Sequence, residues 1–166
     1  LPRGEIRGSA FWLQFLLPEF PPAVHLVVVD PGVGTDRAAI VLRVGGHALV
    51  GPDNGVLIPA VRAIAPTALR GTEDPISIAS NKQIDAFRIQ IDDPASQTFH
   101  GRDVFAPAAA TVHELGSDAA ESAASLEPIE DVVGYSLPSP QITADTAHGE
   151  VLVVDGFGNV ITNVSG

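Results

Sequence analysis

An aspartate ends an apolar run and an arginine follows seven positions later, across the glycine-bearing loop Asp30-Pro31-Gly32-Val33-Gly34-Thr35-Asp36-Arg37. The glycines let this loop fold back so that guanidinium and carboxylate meet. Such a pair has two readings. It braces a turn as an ordinary ion pair, or it orients a carboxylate that positions a small nucleophile such as water. His100 lies after Thr98-Phe99 and before a helix start. It too either braces its turn or serves as a hydrogen-bond donor or proton relay, a role suited to a side chain that titrates near neutrality. Asp53-Asn54-Gly55 and Asp155-Gly156-Phe157-Gly158-Asn159 are further polar loops. Each, taken singly, reads as a common turn.

Several better-known chemistries do not fit. Gly32-Val33-Gly34 after a strand invites a dinucleotide reading, but Arg37 stands where the third glycine belongs and a strand pattern follows in place of a helix. No Gly-Lys-Ser/Thr follows either, so the phosphate-cradling P-loop is excluded. His25, His47, His113 and His148 lack ligand-like spacing, and His113-Glu114 lacks the second histidine of a zinc-protease helix. With no cysteine in the chain, thiolate sites and a cysteine nucleophile are ruled out. No metal is expected.

The elements that must position these loops are legible in outline. Phe11, Leu13, Phe15, Leu16 and Leu17 with Ala10 give a helical apolar stripe over about residues 5–18, ended by Pro18, Pro21 and Pro22. Val24 to Val29 is a continuous apolar run, the pattern of a strand buried on both faces. Residues 38–44 and 48–50 read as strands joined by a Gly45-Gly46 hairpin. A helix is expected from about Val56 to Ile64, and strands at 76–78 and 87–91. The Ala-rich stretch Arg102 to Leu115 places Val104, Ala108, Val112 and Leu115 on one face of a helix closed by Gly116. Residues 136–148 read as a linker, and Val151 to Asp155 as a strand with nothing after it to pack on. The polar loops therefore sit at the ends of apolar elements, where α/β sheets bind ligands. The expected class is α/β, an N-terminal sheet domain over 1–135 with flanking helices, then the linker, then the beginning of a smaller β-domain over 149–166.

Bulk composition narrows the partners. Among 166 residues, 45% are apolar and 17% charged, enough apolar material for a packed core. A net charge of −11 repels phosphate backbones and anionic membranes, so nucleic-acid binding is disfavoured. No apolar run approaches the ~20 residues needed to span a bilayer, and the start lacks the pattern of a signal peptide. The expectation is a soluble, cytoplasmic protein.

Four segments occur in order: Val28-Val29-Asp30-Pro31-Gly32-Val33-Gly34-Thr35, Gly51-Pro52-Asp53-Asn54-Gly55-Val56-Leu57, Thr98-Phe99-His100-Gly101-Arg102-Asp103-Val104-Phe105-Ala106-Pro107 and Asp155-Gly156-Phe157-Gly158-Asn159-Val160-Ile161-Thr162-Asn163. The first and third are specific; the second and fourth gain weight only from their company. Together they resemble the S-adenosyl-L-methionine hydroxide adenosyltransferase family, relatives of the fluorinating and chlorinating adenosyltransferases. The resemblance runs from about residue 5 to the end.

It implies attack of water or hydroxide on S-adenosyl-L-methionine, giving adenosine and L-methionine, with that compound as substrate and no cofactor. The family's water-activating Asp, Arg and His match Asp30, Arg37 and His100. Its halogenating members carry tyrosines in place of the aspartate and the histidine and a serine after the latter, so Asp30, His100 and Gly101 side with the hydroxide enzymes. The resemblance further implies that Asp53 and Asn54 belong to the substrate site and that Thr98 and Phe99 lie near the adenosyl group. Asp155 would face the methionine amine, with Phe157 and Asn159 at the adenine end. It also implies a homotrimer with sites between subunits, and a chain lacking the family's first strand and most of its C-terminal β-barrel. Two other readings remain: halide adenosyl transfer, and a non-catalytic module that binds adenosine or S-adenosyl-L-methionine.

Overall fold

The computed structural model describes residues 3–69, 74–79, 81–91, 98–123 and 126–164, with side chains of 116–123 left aside. Its centre is a five-stranded sheet. Strand β1 (Val24–Leu26) lies at one edge beside β3 (His47–Pro52), followed by β2 (Ala39–Val44), β5 (Ile84–Ile89) and β6 (Leu126–Pro128). The β1–β3 pair is parallel; the other pairs are antiparallel. The β2–β3 hairpin turns at Gly45-Gly46 with φ of 57° and 82°, the two left-handed residues that a tight hairpin loop needs.

Side chains alternate across the sheet, so each strand feeds two cores. Ile40, Leu42, Val44 and Leu49 face one side, packed with Ala10 of helix α1 (Ile6–Leu16) and with Ile58, Ala60 and Val61 of helix α2 (Ile58–Ile64). Ala39, Val41, Val50 and Phe87 face the other side and meet Phe105, with Ala108 and Val112 of helix α3 (Ala106–Ala123). The expected α/β class, a sheet between helices, is the one the chain adopts. Short ribbons complete it: β4 (Ile76–Ser77) with β7 (Asp131–Val132), β8 (Gln141–Ile142) with β9 (Ala147–His148), and β10 (Val151–Val154) with β11 (Val160–Thr162).

Local chemistry sets the helix ends. Glu5 caps α1 by accepting from the Gly8 N–H, and a 3₁₀ turn, Leu17–Glu19, containing Pro18 closes it. Pro59 sits in the first turn of α2, where its missing N–H costs nothing.

Several expectations are corrected. The 24–29 run is a strand only over Val24–Leu26, at the edge of the sheet, and it is not buried on both faces: Leu26 and Val28, which share a face, are exposed, and Val28 lines an open cleft. Gly116 does not close α3, which continues through the Ala- and Glu-bearing stretch to Ala123; strong helix formers beyond one glycine outweigh its cost of about 1 kcal/mol. Leu115 is exposed, three positions beyond Val112, the last buried residue of the stripe. Within residues 136–148 lies the β8–β9 ribbon. Leu152 and Val153 of the β10–β11 hairpin form a third core with Phe11 of α1.

Gly55, at φ 85°, shows how tightly the loop after β3 is held. A Cβ there would lie 2.6 Å from Tyr135 Cβ and 2.9 Å from the Gly134 carbonyl oxygen. Gly55→Ala therefore combines left-handed strain with a backbone collision. Urea unfolding is expected to show a loss of about 1–3 kcal/mol.

Candidate active site

β1 and β3 run parallel, so their carboxyl ends lie side by side and send out the two loops 30–37 and 53–55. Beyond β1 the chain stays alongside β3, with the Val27 N–H donating to the Val50 carbonyl at 2.9 Å. Three residues on, the 30–37 loop folds back on itself. Thr35 closes it by donating both its N–H (3.2 Å) and its hydroxyl (2.7 Å) to the Gly32 carbonyl.

The result is a two-pronged ion pair. Arg37 Nε donates to Asp30 Oδ1 at 3.1 Å and Nη2 donates to Oδ2 at 2.5 Å. The two side chains are 7% and 5% exposed. Arg37 Nη1 donates to the Ala38 carbonyl at 2.9 Å, and the guanidinium lies over the Phe105 ring, 5.2 Å from its centroid. Burial of this kind is tolerated because nearly every N–H of the fork has an acceptor.

His100 joins the pair from the turn that leads into α3. Its Nδ1 lies 3.1 Å from Arg37 Nη2, and the residue is 7% exposed. A guanidinium has no lone pair to offer, so Nδ1 must be the acceptor. His100 is thereby held as the tautomer with its proton on Nε2, a donor. A wide π-helical turn, Gly101–Phe105, follows directly, with the Ala106 N–H reaching back to the Gly101 carbonyl. This turn carries both His100 and Phe105 to Arg37.

A cleft of about 440 Å³ opens beside the pair, lined by Arg3, Gly4, Ser9, Val28, Val29, Asp30, Val33, Thr98 and Gly101. Asp30, Arg37, His100 and Thr98 are therefore brought to one place. Phe99 is half exposed, with Arg102 stacked over its ring at 4.9 Å. Arg102 in turn forks onto Asp103, and that hydrogen-bonded guanidinium holds the Asp103 carboxyl below its ordinary value.

Asp53 and Asn54 occupy backbone roles. Asp53 Oδ1 accepts the Val133 N–H at 2.8 Å. Asn54 Nδ2 donates to the Val29 carbonyl at 2.8 Å while its Oδ1 accepts from the Val56 N–H at 3.2 Å. Asp155, Phe157 and Asn159 form the β10–β11 turn. There Asp155 Oδ1 accepts the Phe157 and Asn159 N–H groups, and Oδ2 accepts the Asn159 amide. The Asn159 amide is the main cause of the lowered Asp155 pKa. Phe157 is 96% exposed, so its ring is turned to solvent.

Burial pushes the Asp53 carboxyl above its ordinary value, against the opposing Val133 hydrogen bond and the Arg88 charge. A carboxyl raised on folding contributes stability that is present at low pH and lost as pH rises through its folded value. Asp53→Asn keeps the acceptor and removes the charge. Its stability relative to the parent is expected to rise between pH 4 and pH 7, as read from urea midpoints at both.

Three features escaped the sequence reading. Phe105, which supplies the face under Arg37, lies within the quoted third segment five residues after His100, so its place was visible but its partner was not. The Arg3–Gly4 and Ser9 wall carries no motif. His25 Nε2 and His47 Nδ1 lie 2.8 Å apart across β1 and β3, a pairing hidden by 22 residues of separation. Among the described residues no group of three or more His, Cys, Asp or Glu is placed to hold a metal, and no helix is long and apolar enough to cross a membrane.

Comparison with known proteins shows what the whole chain is similar to. Residues 1–122 match the SAM hydroxide adenosyltransferase N-terminal domain. A relative from Salinispora tropica, named (R)-S-adenosyl-L-methionine hydrolase, is 42% identical over 166 residues, covering all of this chain and 58% of its own. One of the same name from Thermus thermophilus is 37% identical over 99% of this chain and 60% of its own. Among solved structures, an uncharacterized conserved protein from Thermotoga maritima superposes with a TM-score of 0.73 at 31% identity, over 99% of this chain and 57% of that one. A conserved hypothetical protein from Thermus thermophilus gives 0.61 at 33% identity, with the same coverage. The chain thus spans somewhat more than half the length of these relatives.

Proposed function

We propose, because the chain belongs to the S-adenosyl-L-methionine hydroxide adenosyltransferase family, that it carries the water-activating half of an enzyme that hydrolyses S-adenosyl-L-methionine to adenosine and L-methionine. The observation that carries this reading is the buried Asp30–Arg37 fork with His100 Nδ1 3.1 Å from the same guanidinium, at the wall of an open cleft.

The chemistry matches what these residues offer. A sulfonium is a good leaving group, so expelling the thioether needs no acid. The barrier lies in presenting an oxygen nucleophile in line with the 5′ carbon. Each Asp30 oxygen accepts from Arg37 and keeps a second lone pair for a water proton. His100, with its proton on Nε2, is a donor suited to fix the water oxygen. The oxygen–C5′ bond forms as the C5′–sulfur bond breaks. The electron pair of that bond stays on sulfur, and the water proton passes to Asp30 and then to solvent. No cofactor takes part in this displacement. The roles of Asp155, Phe157 and Asn159 toward methionine and adenine, and of Phe99 toward the adenosyl group, belong to the same proposal. It extends to a homotrimeric, cytoplasmic protein with the segments 1–135, 136–148 and 149–166 as catalytic domain, linker and β-domain start.

Incubation with S-adenosyl-L-methionine in H₂¹⁸O, followed by chromatography and mass spectrometry, tests it. Adenosine carrying ¹⁸O at its 5′ oxygen is expected. A 5′-halo product that depends on added halide sinks the hydrolase reading, and tight adenosine binding without turnover favours a binding module. Light scattering on the eluting protein reads the trimer.

A further inference from the structure

Two carbonyls flank the loop that bears Asp30 and Arg37, and both are held by the neighbouring 53–54 turn. On the near side, Asn54 Nδ2 donates to the carbonyl of Val29, the residue before Asp30, at 2.8 Å. On the far side, the Asp53 N–H donates at 2.9 Å to the carbonyl of Ala38, the residue after Arg37. That second carbonyl also receives Arg37 Nη1 at 2.9 Å. The turn is itself immobilised. Asp53 Oδ1 is tied to the Val133 N–H, Asn54 Oδ1 to the Val56 N–H, and Gly55 fits under Gly134 and Tyr135 with no room for a side chain.

We propose that Asn54, with the Asp53 backbone, is a positioning element that clamps both ends of the 30–37 loop and so sets the Asp30–Arg37 fork against His100. It acts on the reaction through that loop and does not touch substrate. This rests on the hydrolase reading above and differs from the substrate-contact role that the family resemblance implies for Asn54. The physical case is that both ends of the Asn54 amide already serve backbone groups, which also fixes its orientation. The loop's own closure consists of Thr35 donating to Gly32. Without the Val29 anchor, the first residue of the fork loses the hydrogen bond that fixes the peptide carbonyl just before it.

The test uses two variants. Asn54→Ala removes donor and acceptor. Asn54→Asp keeps the shape and the Val56 acceptor but turns a carboxylate oxygen toward the Val29 carbonyl, so it isolates the clamp if the alanine variant does not fold. Two readouts are taken. Kinetics with S-adenosyl-L-methionine are expected to show kcat falling by about 10²-fold, the scale of a 1 Å misplacement, with KM within about threefold of the parent. Imidazole ¹⁵N spectra of His100 are expected to lose the single Nε2-protonated pattern, and amide exchange of Thr35 and Asp53 to speed up while β5 stays protected.

A raised KM at unchanged kcat overturns the proposal in favour of direct contact with substrate. An unchanged His100 spectrum with unchanged loop exchange overturns it outright. If the parent protein forms no adenosine, the hydrolase reading fails separately, and the spectra and exchange still decide the clamp.

Discussion

Asp30→Asn is expected to lower the rate of adenosine formation by about 10²–10⁴-fold, the range lost when a positioned acid–base group is removed. The substitution is nearly isosteric, so the cleft keeps its shape. Asparagine still offers one oxygen to Arg37, but its –NH₂ faces the other prong of a fork that holds only donors. The amide also cannot take up a water proton. The effect should therefore fall on kcat, with KM for S-adenosyl-L-methionine nearly unchanged, because Asp30 is assigned to the nucleophile and not to the substrate. Adenosine formation measured well below the variant's melting temperature checks this. Turnover within about threefold of the parent would remove Asp30 from the mechanism and return the fork to its bland reading as a turn brace.

The second large effect is on stability. Arg37→Met strands the Asp30 carboxylate in a site where it is 5% exposed and deprives His100 Nδ1 and the Ala38 carbonyl of their shared donor. Breaking a buried pair from one side costs about 3–5 kcal/mol. For a domain of this length that corresponds to a fall in melting temperature of roughly 6–20 °C. Methionine fills the volume over Phe105, so the loss is electrostatic and not a cavity effect. Two companions sharpen the result. Arg37→Lys restores a charge but not the planar fork, so it should recover part of the stability and little of the activity. The double replacement Asp30→Leu with Arg37→Met should recover much of the stability and none of the activity, because an apolar pair of similar size has no charge to strand. Calorimetry on these proteins beside the parent completes the comparison. An Arg37→Met variant that melts with the parent would mean that solvent screens the pair.

The parts of this molecule that residue type alone dictates were readable from the chain. Gly45-Gly46 makes a hairpin because two successive positive φ angles admit little else. The alternation in Ile40, Leu42 and Val44 against Ala39 and Val41 declares a strand with two covered faces. That Asp30, Arg37 and His100 would come together was suggested by their place in a four-segment pattern, and the three side chains do meet. Spacing alone left each residue ambiguous, and the 63 positions between Arg37 and His100 are closed only by the sheet. What stayed hidden depends on neighbours. The 24–29 run is shorter as a strand than its apolar content implies because pairing, not hydrophobicity, defines a strand, and β1 pairs on one side. Asn54 read locally as part of a common turn, and its donation to the carbonyl of Val29, 25 positions away, is set by the parallel pairing of β1 and β3 and not by its type.

The π-helical turn at Gly101–Phe105 is a matter of angular phase. In a regular α-helix, residues five apart point about 140° away from each other, and His100 and Phe105 could not both address one guanidinium. Widening a single turn so that the N–H of Ala106 reaches five residues back rotates Phe105 toward the side of His100, and Arg37 receives an edge from one and a face from the other. The extra residue in that turn works as a phase shifter. Its removal would make the chain from Gly101 into α3 one regular helix while turning the aromatic face off the arginine, so this stretch is a place where a more regular helix would make a poorer site.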